Sequence, residues 1–251
     1  MRRFFVEEIK DRDGYVVISG PEARHISRVL RMSRGDHFIL MDRKGARFEA
    51  VIESSGPKEL HVRLAGVLPM PASPPVDIIL CQALLKSRAM DCIIEKSSEL
   101  GVNEIIPYFS ERTIIRDTKS GAEGRARRWR EIAQGAAKQS DRIRPAEIYP
   151  PVSFREVTGR YQNDDAMKVI LWEREESTDL KRLLKAHPSS ARFVGMVGPE
   201  GGFTGMEIDM ARKAGFLAVS VGRRILRAET AAVILVAIVQ YEWGDLGRDN
   251  L

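Results

Sequence analysis

The segment Gly198-Pro199-Glu200-Gly201-Gly202-Phe203-Thr204 joins a predicted strand at residues 192–197 to a predicted helix that begins at Met206. Glycines between a strand and a helix let a ligand approach the backbone closely. Thr204 and Glu207 have the T-x-x-E spacing of a capping box, which indicates the start of a helix. This segment therefore predicts a strand, a turn suited to ligand binding, and a helix.

A second turn of this kind follows downstream. Residues 222–230 lie between a predicted strand at 216–221 and a predicted helix at 229–243. In an open α/β sheet, ligands bind beyond the carboxyl ends of the strands, so two such turns indicate one ligand site. The chain has no GxxxxGK[ST] motif, which excludes a P-loop, and no GxGxxG after the first α/β strand, which argues against a dinucleotide site.

Strands and helices alternate from residue 76 onward, and the strands are almost continuously apolar. This pattern predicts an α/β domain whose parallel sheet is covered on both faces. The predicted strands are residues 76–83, 104–109, 168–172, 192–197 and 216–221, and the predicted helices are residues 88–100, 125–139, 179–186, 206–214 and 229–243.

The N-terminal part has a different pattern. Short β-rich runs at residues 3–8, 15–19, 37–42, 47–53 and 59–67, with one helix at 21–32, predict a small barrel. Four prolines within residues 68–75 indicate a stiff linker. We therefore expect a β-barrel domain at 1–67, a proline-rich linker at 68–75 and an α/β domain at 76–251.

The charge is uneven and favours a polyanionic partner. The net charge is +5, with ten Lys or Arg against four Asp or Glu in residues 112–144, and thirteen against ten in residues 1–70. The longest apolar run, residues 231–239, is too short to span a bilayer, and the N-terminus lacks the apolar region of a signal peptide. The histidines are scattered, and Cys81 and Cys92 have no zinc spacing and are expected to be core thiols. We therefore expect a cytoplasmic protein with no membrane segment and no metal.

Five groups of motifs follow one another along the chain: residues 25–32 with 35–36, residues 99–102 with 106–107, residues 128–129 with 136–137 and 139–140, residues 198–203, and residues 226–231. In this order they closely resemble the bacterial 16S rRNA uridine-N3 methyltransferases of the SPOUT superfamily. Three positions depart from that family. Residues 86–91 read Lys-Ser-Arg-Ala-Met-Asp where the family has a Lys-Gly turn, Asp141 stands where it commonly has glycine, and a proline before Glu147 is displaced to Pro145.

The resemblance implies a knotted, SPOUT-like parallel-sheet methyltransferase domain preceded by a small PUA-like, RNA-binding β-barrel. It implies S-adenosylmethionine as the cofactor and 16S rRNA, free or in the 30S particle, as the partner. The methyl group would go to N3 of a uridine. Arg227 is the candidate for stabilising the uracil anion because it lies in the cofactor turn, and Thr230 is a helix cap or a substrate hydrogen bond. Glu229 is either the base or an acid that interacts favourably with the dipole at the start of its helix. The cofactor residues implied are Leu171, Gly198, Pro199, Glu200, Gly201, Gly202, Val221, Gly222, Ile225 and Leu226. The RNA-binding residues implied are Arg2, Arg3, Arg24, His25, Arg28, Arg31, Lys86, Gln139, Arg142 and Arg144.

Three further expectations concern geometry. Arg24, Arg28 and Arg31 have the spacing of one helix face. A side chain placed at Gly201 is expected to intrude where the ligand approaches the backbone. The helix at 229–243 is apolar on almost every face, which predicts a homodimer unless the helix at 88–100 covers it.

Two other functions fit the same sequence. One is a SPOUT ribose 2′-O-methyltransferase acting on rRNA or tRNA. The other is a non-catalytic RNA-binding factor of ribosome assembly, which would bind RNA without S-adenosylmethionine.

Overall fold

The computed structural model describes residues 1–6, 8–9, 14–42, 45–56, 58–69, 75–115, 119–187 and 189–247, with only the main chain at 119 and 120. The chain forms two compact units, one of residues 1–72 with 137–144 and the other of residues 73–136 with 145–251. Residues 70–74 of the predicted linker lie outside the described residues. The division into domains at 67 and 76 stays a prediction, and the first unit also takes in residues 137–144, which we had placed in the α/β domain.

The first unit contains a five-stranded sheet. Its strands are β1 (Arg3–Val6), β2 (Tyr15–Ser19), β3 (His37–Asp42), β4 (Arg47–Ser55) and β5 (Glu59–Val67). They pair in the order β1-β3-β4-β5-β2, with β1 parallel to β3 and the other pairs antiparallel. Phe4, Phe38, Leu40 and Ile52 lie in its buried core. The described strands form no ladder between β1 and β2, so closure into a barrel stays a prediction.

The predicted helix at 21–32 is wrong as one continuous element. Helix α1 (Gly20–Arg24) is followed by a π-helical turn at His25–Val29, where the Leu30 N–H donates to the His25 carbonyl at 3.0 Å. Arg31 lies beyond the turn with a φ of 53°. Because the chain leaves the helical conformation at Arg31, this residue does not continue one helix face with Arg24 and Arg28, as we had expected.

The second unit contains a parallel sheet, as predicted, with seven strands rather than the five that we expected. Its strands are β6 (Asp77–Ala83), β7 (Glu104–Phe109), β8 (Glu147–Ile148), β9 (Val152–Ser153), β10 (Met167–Leu171), β11 (Arg192–Val197) and β12 (Leu217–Val219). The order is β12-β10-β11-β6-β7-β8, and β9 also pairs with β7. The three strands β10, β11 and β12 are therefore neighbours, and their carboxyl ends lie side by side.

Six helices complete the unit: α2 (Ser87–Glu99), α3 (Lys119–Gln139, of which the last three residues belong to the first unit), α4 (Phe154–Arg160), α5 (Leu180–Ala186), α6 (Gly205–Lys213) and α7 (Ala228–Glu242). Apolar side chains of β6 alternate between two cores. Ile78 and Leu80 pack with α2, α5 and α7, whereas Ile79 and Cys81 pack with α4 and α6. The sheet is covered on both faces, as its apolar strands predicted.

The last helix returns to the middle of the sheet. β12 is an edge strand, yet α7 packs on β6, β11 and α2. Gly195 of β11 allows this close approach, because a Cβ there would lie 2.5 Å from Leu235 Cδ2. Helix α2 therefore covers part of α7 within the chain, while Val233, Ile234 and Ala237 stay half-buried and Tyr241 is 66% exposed.

Within the described residues, the helices are all too short or too polar to cross a bilayer.

Candidate active site

A cavity of about 1180 Å³ lies beyond the carboxyl ends of β10, β11 and β12. Its walls come from the loops that follow these strands, together with the first turns of α2 and α7. This is the position at which open α/β sheets bind ligands, and the volume accommodates more than a small metabolite.

All ten residues that the sequence analysis implied for the cofactor line this one cavity: Leu171, Gly198, Pro199, Glu200, Gly201, Gly202, Val221, Gly222, Ile225 and Leu226. They come from segments separated by up to 55 residues, and the sheet brings them together. Two of them differ in setting. Leu171 is also part of the buried core, whereas Ile225 is 88% exposed and lies at the rim.

The turn at residues 198–204, which follows β11, has the conformation that its glycines allow. Gly202 has a φ of 67°, and its N–H donates to the Pro199 carbonyl at 2.9 Å. A Cβ on Gly202 would lie 2.8 Å from Glu173 Oε1. The capping box of α6 is confirmed, because Thr204 Oγ1 accepts from the Glu207 N–H and Glu207 Oε2 accepts from the Thr204 N–H.

Gly201 differs from our expectation. A Cβ built on it would lie 3.3 Å from Arg112 Cβ, so a side chain there would meet Arg112. The Arg112 guanidinium donates to the Gly201 carbonyl at 2.7 Å. Gly201 therefore contributes its backbone to the cavity and leaves room for Arg112 on its other side.

The other predicted turn, at residues 222–230, leads into α7. Gly222 has a φ of 137°, and Arg227 is the N-cap residue of α7 without a side-chain cap hydrogen bond. Arg227 and Glu229 line the cavity, as expected of residues that face a substrate. Thr230 is exposed, and it is not among the described residues that line the cavity. Its interpretation as a helix cap is wrong, because the cap position belongs to Arg227.

The loop after β10 supplies a third wall that the sequence analysis missed except for Leu171. Trp172 and Glu173 line the cavity, and Arg212 stacks over the Trp172 ring at 5.6 Å. Glu175 anchors this loop by accepting hydrogen bonds from Ser177, the Thr178 N–H and Arg212. Hydrogen bonding from Ser177 holds the pKa of Glu175 below its ordinary value.

The N-cap residue and the first two turns of α2 supply the fourth wall, through Lys86, Ser87, Arg88, Ala89 and Cys92. Lys86 had been assigned to RNA. Cys92 had been assigned to the core, but it is exposed at the cavity, whereas Cys81 is buried. These walls follow β6 and β10, so the rule that we applied to β11 and β12 would have found them.

Charges of both signs border the cavity. The cations are Lys86, Arg88, Arg223, Arg224 and Arg227, and the carboxylates are Glu173, Glu200 and Glu229. Such a wall can hold a ligand that carries both charges and, beside it, a phosphate-bearing substrate.

The residues implied for RNA in the first unit are mostly exposed. Arg2, Arg24, His25, Arg28, Arg31, Gln139 and Arg144 have exposed side chains, and Arg142 is half-buried. Arg3 differs, because its Nε lies 2.7 Å from Asp141 Oδ1, which also accepts from Arg47 at 2.9 Å.

Within the described residues, no cluster of His, Cys, Asp and Glu could hold a metal ion.

The fold and the cavity together define an α/β protein that binds a ligand at the carboxyl edge of a parallel sheet. Two family models match the chain, one described as an RNA methyltransferase domain over residues 72–240 and one as an RNA methyltransferase PUA domain over residues 18–65. Since the first model matches more than half of the chain, this protein belongs to the RNA methyltransferase family.

Several relatives carry the name Ribosomal RNA small subunit methyltransferase E. That of Mesomycoplasma hyopneumoniae is 28% identical over 94% of this chain and 97% of its own, and that of Synechocystis is 31% identical over 88% and 71%. The Neisseria gonorrhoeae protein of this name, solved bound to S-adenosyl methionine, is 33% identical with a TM-score of 0.89, covering 98% of this chain and 99% of its own. A Legionella pneumophila protein solved with bound SAM is 31% identical with a TM-score of 0.89, covering 97% and 98%.

Proposed function

We propose that this protein transfers a methyl group from S-adenosylmethionine to N3 of a uridine in 16S rRNA of the small ribosomal subunit. The observation that carries the proposal is the convergence of ten implied cofactor residues on one cavity at the carboxyl edge of the sheet. Similar proteins solved with bound S-adenosylmethionine support the choice of methyl donor. Relatives named as ribosomal RNA small subunit methyltransferases support rRNA as the substrate. The position N3 rests on the motif resemblance.

The chemistry of the cavity fits S-adenosylmethionine. Leu171, Val197, Val221 and Leu226 offer apolar surface for an adenine ring. Nearby carboxylates and guanidinium groups can pair with the ammonium and carboxylate of the methionine part. When bound, this donor supplies an electrophilic methyl group on a sulfonium.

The acceptor nitrogen requires help from the protein. N3 of uridine keeps its proton at neutral pH, so a base must take that proton or a cation must stabilise the uracil anion. Glu229 and Arg227 fit these two roles, because both line the cavity beside the turns proposed to hold the donor. Thr230, which is exposed in the first turn of α7 next to Glu229, would donate a hydrogen bond to the substrate.

The target base must leave its stack to reach such a cavity, and the basic surface of the first unit would hold the surrounding RNA. The exposed Arg2, Arg24, Arg28 and Arg31 fit contacts to phosphates. Action on ribosomal RNA would place the protein in the cytoplasm.

We include the trefoil knot and the homodimer in this proposal. The chain returns from the edge strand β12 to α7 on β6 and β11, and this path is compatible with a trefoil knot. The half-buried apolar residues Val233, Ile234 and Ala237, with the exposed Tyr241, are a surface suited to a second copy of the chain.

Mass mapping of 16S rRNA from cells that lack and then regain this protein tests the proposed function. We expect one uridine to lose a methyl group on deletion and recover it on complementation, and nucleoside analysis to identify 3-methyluridine. A 2′-O-methylated nucleoside would instead identify the ribose methyltransferase. RNA binding without methyl transfer or S-adenosylmethionine binding would identify the assembly factor.

A further inference from the structure

We propose that residues 108–112, the end of β7 and the loop after it, hold the cofactor turn at residues 198–204 in its binding conformation, with Arg112 as the main positioning residue. We call residues 108–112 the brace segment. This inference rests on the proposed function, because the turn is taken to bind S-adenosylmethionine.

The brace segment contacts the start of the turn through Tyr108. The Tyr108 hydroxyl donates to the Val197 carbonyl at 2.7 Å, and both residues are buried. Burial, with smaller contributions from Cys81 and Glu207, raises the pKa of Tyr108 well above its ordinary value. The hydroxyl therefore keeps its proton and remains a donor at the point where the turn leaves β11.

The brace segment also contacts the end of the turn, through Glu207. This side chain is only 5% exposed, and its two carboxylate oxygens bind different segments. Oε1 accepts from Ser110 Oγ at 2.8 Å and from the Glu111 N–H at 2.9 Å, whereas Oε2 accepts from the Thr204 N–H at 2.9 Å. A buried carboxylate needs such donors, so the two segments are fixed to each other.

Arg112 acts on the middle of the turn. Its guanidinium donates to the Gly201 carbonyl at 2.7 Å, and the N–H of the same peptide group, on Gly202, donates to Pro199. The peptide between Gly201 and Gly202 is therefore held at both its carbonyl and its N–H. Arg112 does not itself line the cavity that the described residues form, whereas Gly201 and Gly202 do.

The turn needs such a support because of its composition. Two adjacent glycines have more backbone conformations than any other pair of residues, and a binding turn that fluctuates must be ordered when the ligand binds. Contacts that fix the turn in advance remove that cost from ligand binding. We therefore expect the brace segment to act on affinity for the methyl donor rather than on the chemical step.

Calorimetric titration of the full-length protein with S-adenosylmethionine tests this inference. We expect Arg112→Met to raise the dissociation constant about 5- to 20-fold, which is at or below the low end for a lost hydrogen bond from a charged donor because Arg112 is exposed to solvent. Arg112→Lys should recover part of the affinity, because the ammonium can still donate to the carbonyl. In methylation assays, KM for the donor should rise while kcat changes less than about twofold.

Arg130→Met is the control, because the Arg130 guanidinium also donates to a backbone carbonyl outside the cavity, that of Ile148, in addition to its ion pair with Glu123. It should leave the affinity unchanged, and both variants should unfold at similar temperatures without ligand. If the wild-type protein binds the donor and Arg112→Met binds equally well, the brace segment has no positioning role and the proposed function stands. If the wild-type protein does not bind the donor, both inferences fail.

Discussion

Gly202 is the residue of the cofactor turn whose backbone is most restrictive. Its φ of 67° lies in the left-handed region, where a residue with a Cβ is strained by about 1 to 2 kcal/mol. We expect Gly202→Ala to lower the free energy of unfolding by about that amount and to weaken S-adenosylmethionine binding severalfold. Urea unfolding and calorimetric titration measure the two effects.

Gly205→Ala is the control for this substitution. Gly205 begins α6, and a Cβ there would have no heavy atom within 4 Å. Alanine should be neutral or stabilising by less than about 1 kcal/mol, since it favours a helix more than glycine does. Equal stability of Gly202→Ala and the wild-type protein would contradict the strain that we ascribe to this position.

Asp141 also has a left-handed backbone, with a φ of 59°. Glycine, which the resembling family commonly has here, takes this conformation freely, and aspartate is among the few other residues that tolerate it. In return its carboxylate pairs with Arg3 and Arg47. A residue implied for RNA binding, Arg3, is therefore partly neutralised within its own unit.

We expect Asp141→Asn to bind RNA more tightly. Asparagine keeps the shape and tolerates the same backbone, but it removes the negative charge that pairs with the two arginines. Because the Asp141 side chain is 41% exposed and partly screened, the gain should be about two- to fivefold at low salt and smaller at high salt. Fluorescence anisotropy with a 16S rRNA fragment at two salt concentrations measures it. Unchanged or weaker binding would show that Asp141 does not compete with RNA.

At the scale of elements, α1 and the π-helical turn after it carry three exposed basic side chains, Arg24, His25 and Arg28. We expect Arg24→Gln and Arg28→Gln each to lower the slope of log affinity for RNA against log salt by about 0.7 to 0.9, since each lost phosphate contact releases fewer counterions. Cofactor affinity should not change. Arg182→Gln on α5, which removes an exposed arginine of the other unit, is the control. Equal slopes for all these variants would remove this element from the RNA-binding surface.

The elements also show what the sequence could predict. Strands with strong apolar patterns, such as β7 and β11, have the predicted bounds, because burial on both faces imposes the pattern directly. Two-residue strands β8 and β9 have no periodicity to detect. Helix α4 was missed although Ser153 and Glu156 form its capping box, a signal visible in the sequence. Helix α3 begins six residues before its predicted start, since Gly121 and Gly124 disfavour a helix in isolation.

The candidate site was predictable where backbone geometry determines it, and less so where side chains do. Glycine turns after β11 and β12 locate the cavity, because strand ends in a parallel sheet share an edge. The contact of Arg112 with Gly201 joins residues 89 positions apart, and the π-helical turn replaces a regular helix. Neither has a local pattern, so both required the structure.

At the scale of the whole molecule, the uncovered side of α7 predicts the oligomeric state. Ile234 lies half-buried on that side, next to Val233 and near Ala237. We expect light scattering to give twice the chain mass of 28.2 kDa, and Ile234→Glu to give the mass of one chain, because a carboxylate cannot be buried in an apolar interface without a partner. Lys181→Glu on α5 is the control for added charge. A wild-type protein that methylates RNA at the mass of one chain would remove the dimer from the mechanism.

The strand order of the second unit also has a consequence for synthesis. β6 lies between β7 and β11 in the sheet, but residues 84–191 separate it from β11 in the chain. At about 5 to 20 residues per second, a ribosome needs roughly 5 to 20 s to make that stretch. During this time one edge of an apolar strand has no neighbour, and the helix that covers β6 and β11 has not yet been made. We therefore expect the central strand of the sheet to stay incompletely paired in the nascent chain for several seconds, as a target for chaperones.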